Sequence, residues 1–276
     1  MSDAARPRLL LIDGHSMAFR AFFGLPVDNF RTSTGEPTNA VYGFIAMLTT
    51  LLREEVPTHI AVAFDIGRTT FRTEQYAAYK GTREATPEDF KGQIPLIKEV
   101  LDALRITSVE QESFEADDIL ATLSTRAHDA GMEVLICSGD RDTFQLVTNL
   151  VTVLYPRKGV SDLVRMTPAA VEEKYGLAPA RYPDLAALVG ETSDNLPGVP
   201  GVGPKTAAKW IQQYGDLDGV LAAAAEIPGK AGESLRANLD QVVLNRHLNA
   251  LVTDMTLPVG LDDLEARPWD LSLIHI

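Results

Sequence analysis

Three short segments in the first half of the chain each begin with an apolar run and end at an aspartate. They are Leu9–Asp13, Ile60–Asp65 and Val134–Asp140. Apolar runs of this length, without polar alternation, predict strands buried on both faces, as in a parallel sheet. Ligands of open α/β sheets bind at the carboxyl ends of the strands, so we expect the three aspartates to meet at one edge.

Helical patterns separate these strands. Asn39–Glu54, Pro87–Leu104 and Glu115–Ala130 are amphipathic, and the last stops before Gly131 as a helix should. Val151–Tyr155 is a fourth predicted strand. The alternation predicts an α/β fold for residues 1–166, with a mostly parallel central sheet flanked by helices.

Beyond Thr167 the strand patterns stop, and glycines and prolines separate short helical segments. The predicted helices are Pro168–Tyr175, Pro183–Val189, Pro204–Tyr214, Leu217–Ala225 and Glu233–Leu251. We therefore expect a helical subdomain over residues 167–260. Residues 261–276 are interpreted as a linker or a truncated tail. Their end, Leu271–Ile276, resembles translated sequencing-adapter sequence, so we expect the natural protein to be longer.

Nine carboxylates follow the predicted strands or begin the adjoining helices. They are Asp13, Asp65, Glu115, Asp117, Asp118, Asp140, Asp142, Glu191 and Asp194. Singly, each has an ordinary explanation, because aspartates end strands in turns and acidic residues favour the first turn of a helix. Together they would repel one another unless cations bind among them. Ligands that offer only oxygen favour Mg²⁺ or Mn²⁺ over zinc, and such a site suits two-metal phosphodiester hydrolysis.

The net charge of −13 is the opposite of what phosphate binding requires, because lysine and arginine normally contact phosphates. The nine carboxylates account for most of this excess. Cys137 is the only cysteine, which excludes an internal disulfide and a cysteine-based zinc site. The chain has no signal peptide pattern and no apolar stretch long enough to span a membrane. We expect a soluble cytoplasmic protein that does not contact membranes.

A basic segment follows Asp65. Between Arg68 and Lys98, six basic residues stand against four acidic ones, and no acidic residue interrupts Tyr79–Arg83. Because this segment leaves the carboxyl edge of the sheet, Lys80 and Arg83 could reach a phosphate bound there. A solvated basic loop without a catalytic role is the alternative.

The segment Gly198–Thr206 is rich in glycine, as phosphate-binding loops are, but it does not match their sequence pattern. Pro204 separates the last glycine from Lys205, and no strand precedes the segment, so it is not a P-loop. It resembles a helix–hairpin–helix element, whose backbone N–H groups and helix N-terminus hold a DNA phosphate. The residues assigned to DNA binding are Gly198, Gly201, Gly203, Lys205, Thr206 and Lys209. A plain packing element is the alternative.

These motifs, in this order, resemble the flap endonuclease superfamily, and most closely the 5′-nuclease domain of bacterial DNA polymerase I. The matching segments are Leu11–Ser16, Ala63–Asp65, Tyr79–Arg83, Glu115–Asp118, Gly139–Asp142 and Ser193–Gly203. The resemblance implies a PIN-like or resolvase-like core with a helical arch around residues 68–98. It implies a monomeric, nucleoid-associated nuclease that acts on DNA with 5′ flaps, nicks or RNA primers in replication and repair. A polymerase domain would follow it in the full-length protein.

The resemblance also implies roles for the site residues. Two Mg²⁺ ions, for which Mn²⁺ can substitute, would be bound by the carboxylates, and a monovalent cation would bind at the hairpin. Asp13, Asp65, Glu115 and Asp118 would hold the first Mg²⁺. The second would be held by Asp140, Asp142 and Asp194, with Asp117 between the two. Lys80 and Arg83 would be the catalytic cations that polarise the scissile phosphate.

One position departs from the family pattern. The family usually has aspartate where this chain has Glu191, and the longer side chain could bind a metal through water. A DNA-binding module with impaired catalysis is therefore an alternative function. A phosphatase with a nucleophilic aspartate is a poorer one, because Asp13-Gly-His15 lacks the second aspartate that this class requires.

Overall fold

In the computed structural model, residues 6–83, 85–158 and 162–268 are described, and the tail Leu271–Ile276 lies outside them. A six-stranded sheet forms the centre, with the strand order β3-β2-β1-β4-β5-β6. The strands are β1 (Arg8–Asp13), β2 (His59–Ala63), β3 (Thr107–Val109), β4 (Glu133–Cys137), β5 (Val151–Lys158) and β6 (Asp162–Met166). All neighbours are parallel except β5 and β6, which form an antiparallel pair. This confirms the predicted mostly parallel sheet.

The order of the strands reverses beside β1. The chain runs outward from β1 through β2 to β3, then returns to place β4 on the other side of β1. A reversal of this kind opens a crevice at the carboxyl ends of the two central strands. Asp13 ends β1, Asp65 lies two residues beyond β2, and Asp140 lies three residues beyond β4. The strand order therefore brings the three predicted aspartates to one place.

Helices cover both faces of the sheet. The helices of this part are α1 (Gly14–Gly24), α2 (Asn39–Glu55), α3 (Phe71–Gln75), α4 (Glu88–Lys91), α5 (Gln93–Ala103), α6 (Ala116–Asp129) and α7 (Pro168–Tyr175). One apolar core joins α1, α2 and α5 to the sheet through residues such as Met17, Phe44 and Ile97. A second core on the opposite face contains Ile119 and Leu123 of α6. Both faces of the central strands are thus buried, which explains their continuous apolar sequences.

The prediction of a single helix over 87–104 is wrong in detail, because Gly92 separates α4 from α5. The helical arch expected around residues 68–98 stays a prediction. Between Gln75 and Glu88 the described residues form turns and no helix. Lys80 lies in this stretch with a φ of 54°, in the left-handed region that non-glycine residues rarely adopt.

The second part of the described chain is helical, as predicted. It contains α8 (Tyr182–Val189), α9 (Pro204–Tyr214), α10 (Leu217–Ala222), α11 (Gly229–Ala237) and α12 (Leu239–Asn249), packed around their own apolar core. The predicted helix Glu233–Leu251 is two helices, which meet at Asn238. A small antiparallel ribbon of β7 (Gly190–Glu191) and β8 (Leu196–Pro197) joins α8 to the hairpin before α9. No helix in the described ranges is long and apolar enough to cross a membrane.

Candidate active site at the carboxyl edge of the sheet

Asp13 ends β1 and Asp140 follows β4, and these are the two central strands of the sheet. Asp13 begins α1, and its Oδ1 accepts a hydrogen bond from the Ser16 amide at 2.9 Å. Its Oδ2 accepts one from the Ser138 hydroxyl at 2.9 Å. Asp140 caps the 3₁₀ turn that follows, because its Oδ1 accepts the Asp142 amide at 2.9 Å. Both aspartates also begin helical turns, which explains why such residues follow the strands.

Asp65 connects β2 to α6. Its Oδ1 accepts the Ala116 amide at 2.8 Å, in the first turn of α6. Its own amide donates to His15 Nδ1 at 3.2 Å, so Nδ1 is the unprotonated ring nitrogen when this bond is made. The carboxylate at the end of β2 is therefore held at the helix N-terminus that also carries Glu115 and Asp117.

Glu115 precedes α6 and binds the basic segment directly. Lys80 Nζ lies 2.9 Å from both carboxylate oxygens of Glu115. The Tyr79 hydroxyl donates to Glu115 at 3.1 Å and lies 3.1 Å from an Asp194 oxygen as well. Lys80 thus lies at the carboxyl edge as a counter-ion of the carboxylates. The predicted contact of Lys80 with a bound phosphate stays a prediction.

Asp118 has a different environment from the one expected for a metal ligand. The side chain is fully buried, and Arg72 binds both of its oxygens at 2.6 and 2.7 Å. The amides of Glu115 and Val252 donate to the same two oxygens. All the acceptor positions of Asp118 are in use, so this geometry assigns it to the scaffold that holds Glu115.

Asp142, Glu191 and Asp194 form a second group of carboxylates. One oxygen from each lies within 4.8 Å of the others, close enough to share a cation. Arg83 pairs with Asp194 at 2.8 Å and donates to the Ser193 carbonyl at 3.2 Å. Glu191, the last residue of β7, thus reaches the same group as Asp142 and Asp194.

The carboxylates are crowded enough to resist ionisation. Burial, followed by repulsion from Asp65, raises the pKa of Asp13 to about 7. Burial, followed by repulsion from Asp140, raises the pKa of Glu191 to about 7. The same two causes raise the pKa of Asp117 and of Asp142 well above the ordinary range. Arg72, Lys80 and Arg83 offset only part of the charge.

Two buried oxygens in this cluster have no hydrogen-bond partner. They are Oδ1 of Asp117 and Oδ1 of Asp142, one in each half of the cluster. A buried carboxylate oxygen without a donor is costly, and a divalent cation removes both this cost and the repulsion. Carboxylates alone, with no cysteine, fit a hard cation such as Mg²⁺ or Mn²⁺. The residues present therefore fit the expected metal chemistry.

The hairpin lies between β8 and α9. Gly203 precedes Pro204, the first residue of α9, and Gly201 has a φ of 80°. Gly201, Gly203, Lys205 and Lys209 are exposed, and Thr206 is half-buried. Gly198 differs from them, since a Cβ there would lie 2.0 Å from the Val189 carbonyl oxygen. Close backbone packing therefore explains Gly198, whereas the other residues remain candidates for phosphate contact.

The sequence did not reveal three side chains that shape this site: Arg72, Ser138 and Tyr79, whose hydroxyl donates to Glu115. Arg72 resembled any residue of a solvated basic loop, although it is 1% exposed. Ser138 stands in an ordinary strand-to-turn position. Only the three-dimensional contacts distinguish them, and no local pattern marks a buried arginine.

Two family models together match residues 8–272. One, described as the 5′-3′ exonuclease N-terminal resolvase-like domain, matches residues 8–176. The other, described as the 5′-3′ exonuclease C-terminal SAM fold, matches residues 177–272. The chain belongs to the 5′-3′ exonuclease family. The boundary between the matches lies just beyond α7, ten residues after the boundary predicted from the sequence.

Curated relatives agree with this assignment. DNA polymerase I of Mycobacterium leprae is 59% identical over 99% of this chain, and that of Bacillus caldotenax is 48% identical over 96%. In both comparisons the chain spans 30% of the relative's length. The chain thus corresponds to the 5′-nuclease portion of these proteins, which confirms the family expected from its motifs.

Solved structures share the fold at low identity. The bacteriophage T5 D15 protein, co-crystallised with metal ions, has a TM-score of 0.74 and 20% identity over 89% of this chain and 90% of its own. The catalytic core of Rad2 in complex with DNA has a TM-score of 0.61 and 16% identity over 98% of this chain and 85% of its own. The predicted fold class, an α/β core with a helical second part, is confirmed.

Proposed function

We propose that this chain is a magnesium-dependent 5′-nuclease that hydrolyses phosphodiester bonds at 5′ ends and flaps of DNA and removes RNA primers. The observation that carries the proposal is the convergence of two carboxylate groups at the strand-order reversal. Each group contains a buried oxygen without a partner, on Asp117 and on Asp142. Lys80 and Arg83 lie beside them. Membership of the exonuclease family supports the reaction class.

These positions support the following division of the carboxylates between two cations. Asp13, Asp65, Glu115 and Asp117 would hold one Mg²⁺, and Asp142, Glu191 and Asp194 the other, with Asp140 between them. When bound, the two cations supply an activated water and stabilise the leaving oxygen. Asp118 supports Glu115 through its contact with the Glu115 amide.

The basic side chains would change partners when substrate and cofactor bind. Lys80 now neutralises Glu115, and Arg83 neutralises Asp194. With divalent cations as the counter-ions of those carboxylates, Lys80 and Arg83 would be available to bind the substrate phosphate. Arg83 is 47% exposed and Lys80 is 19% exposed, so Arg83 has the freer movement of the two.

The hairpin would hold the duplex. Exposed Lys205 and Lys209 and the N-terminus of α9 offer contacts to phosphates that are independent of base sequence. A monovalent cation bound by the hairpin carbonyls is part of this proposal. A polymerase domain joined to this chain, as in the relatives named DNA polymerase I, is part of it too. The monomeric state and the bacterial cytoplasmic location stay predictions.

The deciding experiment compares cleavage of 5′-flap, nicked and blunt DNA with and without Mg²⁺. We expect Mg²⁺-dependent release of the 5′ strand from flap and nicked substrates, and little from blunt duplex. DNA binding without cleavage at any Mg²⁺ or Mn²⁺ concentration would favour the second candidate, a binding module. The feature that favours a binding module is Glu191, which stands where the family usually has aspartate.

Asp140→Asn tests the carboxylate cluster. Because Asp140 lies between the two groups, loss of its charge should abolish Mg²⁺-dependent flap cleavage while duplex binding survives. Asp129→Asn is the matched control, since Asp129 is an exposed residue at the end of α6. Equal losses of binding and cleavage in Asp140→Asn would show that the cluster is only structural.

Lys80→Ala tests the proposed contact with the scissile phosphate. We expect the single-turnover rate to fall by at least a hundredfold, with the dissociation constant for DNA changed much less. Lys91→Ala is the control from the same basic segment, since Lys91 pairs locally with Glu88 at 2.5 Å. An unchanged single-turnover rate would remove Lys80 from the mechanism.

A further inference from the structure

Ser138 is a fully buried serine between the two central carboxylates. It directly follows β4, and its side chain has no exposed surface. Its Oγ lies 2.9 Å from Asp13 Oδ2 and 3.0 Å from the Asp140 amide nitrogen. One hydroxyl thus contacts the aspartate that ends β1 and the aspartate that follows β4.

Elementary chemistry fixes the direction of both hydrogen bonds. The Asp140 amide can only donate, so Ser138 Oγ must accept from it. The single hydroxyl proton of Ser138 is then available for Asp13 Oδ2, the acceptor on its other side. The Ser138 hydroxyl therefore links the Asp140 backbone to the Asp13 carboxylate, so the position of one restrains the position of the other.

Ser16 makes a second connection between the same two strand ends. Its amide donates to Asp13 Oδ1 at 2.9 Å, and its Oγ accepts the Gly139 amide at 3.1 Å. A Cβ at Gly139 would lie 2.8 Å from that Oγ, so the turn after β4 is packed tightly against α1. With one donor on each oxygen, Asp13 cannot rotate freely, and its remaining lone pairs keep fixed directions.

We propose that Ser138 is a positioning residue that fixes the Asp13 carboxylate relative to Asp140 and so sets the affinity of the site for divalent cations. This rests on the proposed function, in which Asp13 and Asp140 contribute to cation binding. Hydrogen-bond partners behind metal ligands typically contribute ten- to hundredfold to metal affinity or activity. Without the hydroxyl, Asp13 loses one of its two donors and the Asp140 amide is left unpaired.

The test compares Ser138→Ala with Ser138→Thr and with Ser124→Ala. Ser124 is the matched control, because it is also a buried serine, and its Oγ donates to the Ala121 carbonyl within α6. Mn²⁺ binding to the whole chain without DNA is measured by calorimetry, together with the metal-free melting temperature. We expect Ser138→Ala to weaken Mn²⁺ binding at least tenfold. Ser124→Ala should bind Mn²⁺ as the parent chain does.

Cleavage supplies a second readout. In Ser138→Ala the Mg²⁺ concentration for half-maximal flap cleavage should rise at least tenfold, while the rate at saturating Mg²⁺ falls less than threefold. Ser138→Thr keeps the hydroxyl and should restore binding to within threefold of the parent, even if Ser138→Ala proves too unstable to assay. A threonine variant that melts like the parent but binds Mn²⁺ tenfold more weakly would overturn the proposal.

Two failures are distinguishable. If the parent chain binds no Mn²⁺, the proposed metal site itself is refuted, and the role of Ser138 with it. If the parent binds Mn²⁺ and Ser138→Ala binds it equally well, the positioning role alone is overturned. The same conclusion follows if Ser138→Ala and Ser124→Ala weaken binding equally, because the effect would then reflect loss of a buried serine in general.

Discussion

Arg72 is the buried cation on which the carboxylate scaffold depends, and its replacement by methionine should destabilise the chain strongly. The side chain makes two hydrogen bonds to Asp118, at 2.6 and 2.7 Å, and donates to the carbonyls of Leu248 and Ala250 at 2.8 and 3.0 Å. Methionine has a similar length but none of the donors. The Asp118 carboxylate would then lack its cationic partner at a position with no exposed surface.

The expected loss follows from the cost of an unpaired buried charge. Removing one partner of a buried ion pair typically costs about 3–5 kcal/mol. The two carbonyls that lose a donor add to this cost unless water replaces Arg72. We therefore expect a loss of about 4 kcal/mol in the free energy of unfolding, against a total of roughly 5–15 kcal/mol for a typical protein. Urea denaturation of the metal-free chain measures the loss directly.

A double variant separates the charge from the packing. In Arg72→Met with Asp118→Asn the buried charge is absent, so about half of the lost stability should return. Lys91→Met breaks an exposed pair with Glu88 and should cost less than about 1 kcal/mol. A loss below about 1 kcal/mol in Arg72→Met would refute the reasoning, because Asp118 would then be stable without its partner.

Three further predictions concern charge. The pKa of Asp13 and of Glu191 is raised to about 7 from ordinary values of 3.8 and 4.5, so both groups take up protons on folding. The metal-free chain should therefore lose stability as the pH rises from about 4 through 7. Melting temperatures measured from about pH 4 to 8 should show this fall, and saturating Mg²⁺ should reduce the dependence of the melting temperature on pH. Glu191→Gln should raise the metal-free melting temperature by relieving repulsion yet weaken Mn²⁺ binding; a lower melting temperature with unchanged binding would contradict this. Lys205→Ala should weaken DNA binding equally at all sequences and reduce its salt dependence, whereas a sequence-specific effect would argue against a phosphate contact.

The sequence predicted four of the six strands, β1, β2, β4 and β5, and the place where three of them present their aspartates, because both depend on local patterns. It missed β3, which has only three residues, and β6, an edge strand that is mostly not buried. A buried parallel strand has a continuous apolar run, and ligands of open α/β sheets bind at the carboxyl ends of such strands. Helix boundaries were predicted well where caps are strong, as at Gly131 and Tyr214. The break at Gly92 and the division at Asn238 were missed, since a helical period continues across both.

Which carboxylates are paired with protein groups and which are left for a cation could not be predicted from local sequence patterns. Asp117 and Asp118 are neighbours in the same first turn of α6, with identical side chains. Asp117 has a buried oxygen without a partner, whereas Asp118 is bound by Arg72 from a segment 46 residues away. Successive residues of a helix point in different directions, so Asp117 and Asp118 face different surroundings. Only the contact with Arg72 determines that Asp118 is the one paired with a cationic side chain.

The same contacts join the site to the helical part of the chain. The residues just after α12 run past the carboxylates: Asp118 accepts the Val252 amide, and Gln145 donates to the Asn249 carbonyl and accepts the Leu251 amide. Gln145 also donates to the carbonyl of Asp142, at 2.8 Å. The end of α12 and the residues after it are thus hydrogen-bonded to Asp118 and Gln145, side chains that contact both carboxylate groups. Because a shift of about 1 Å at a reacting centre can cost a hundredfold in rate, a loosened connection should slow cleavage more than it weakens DNA binding.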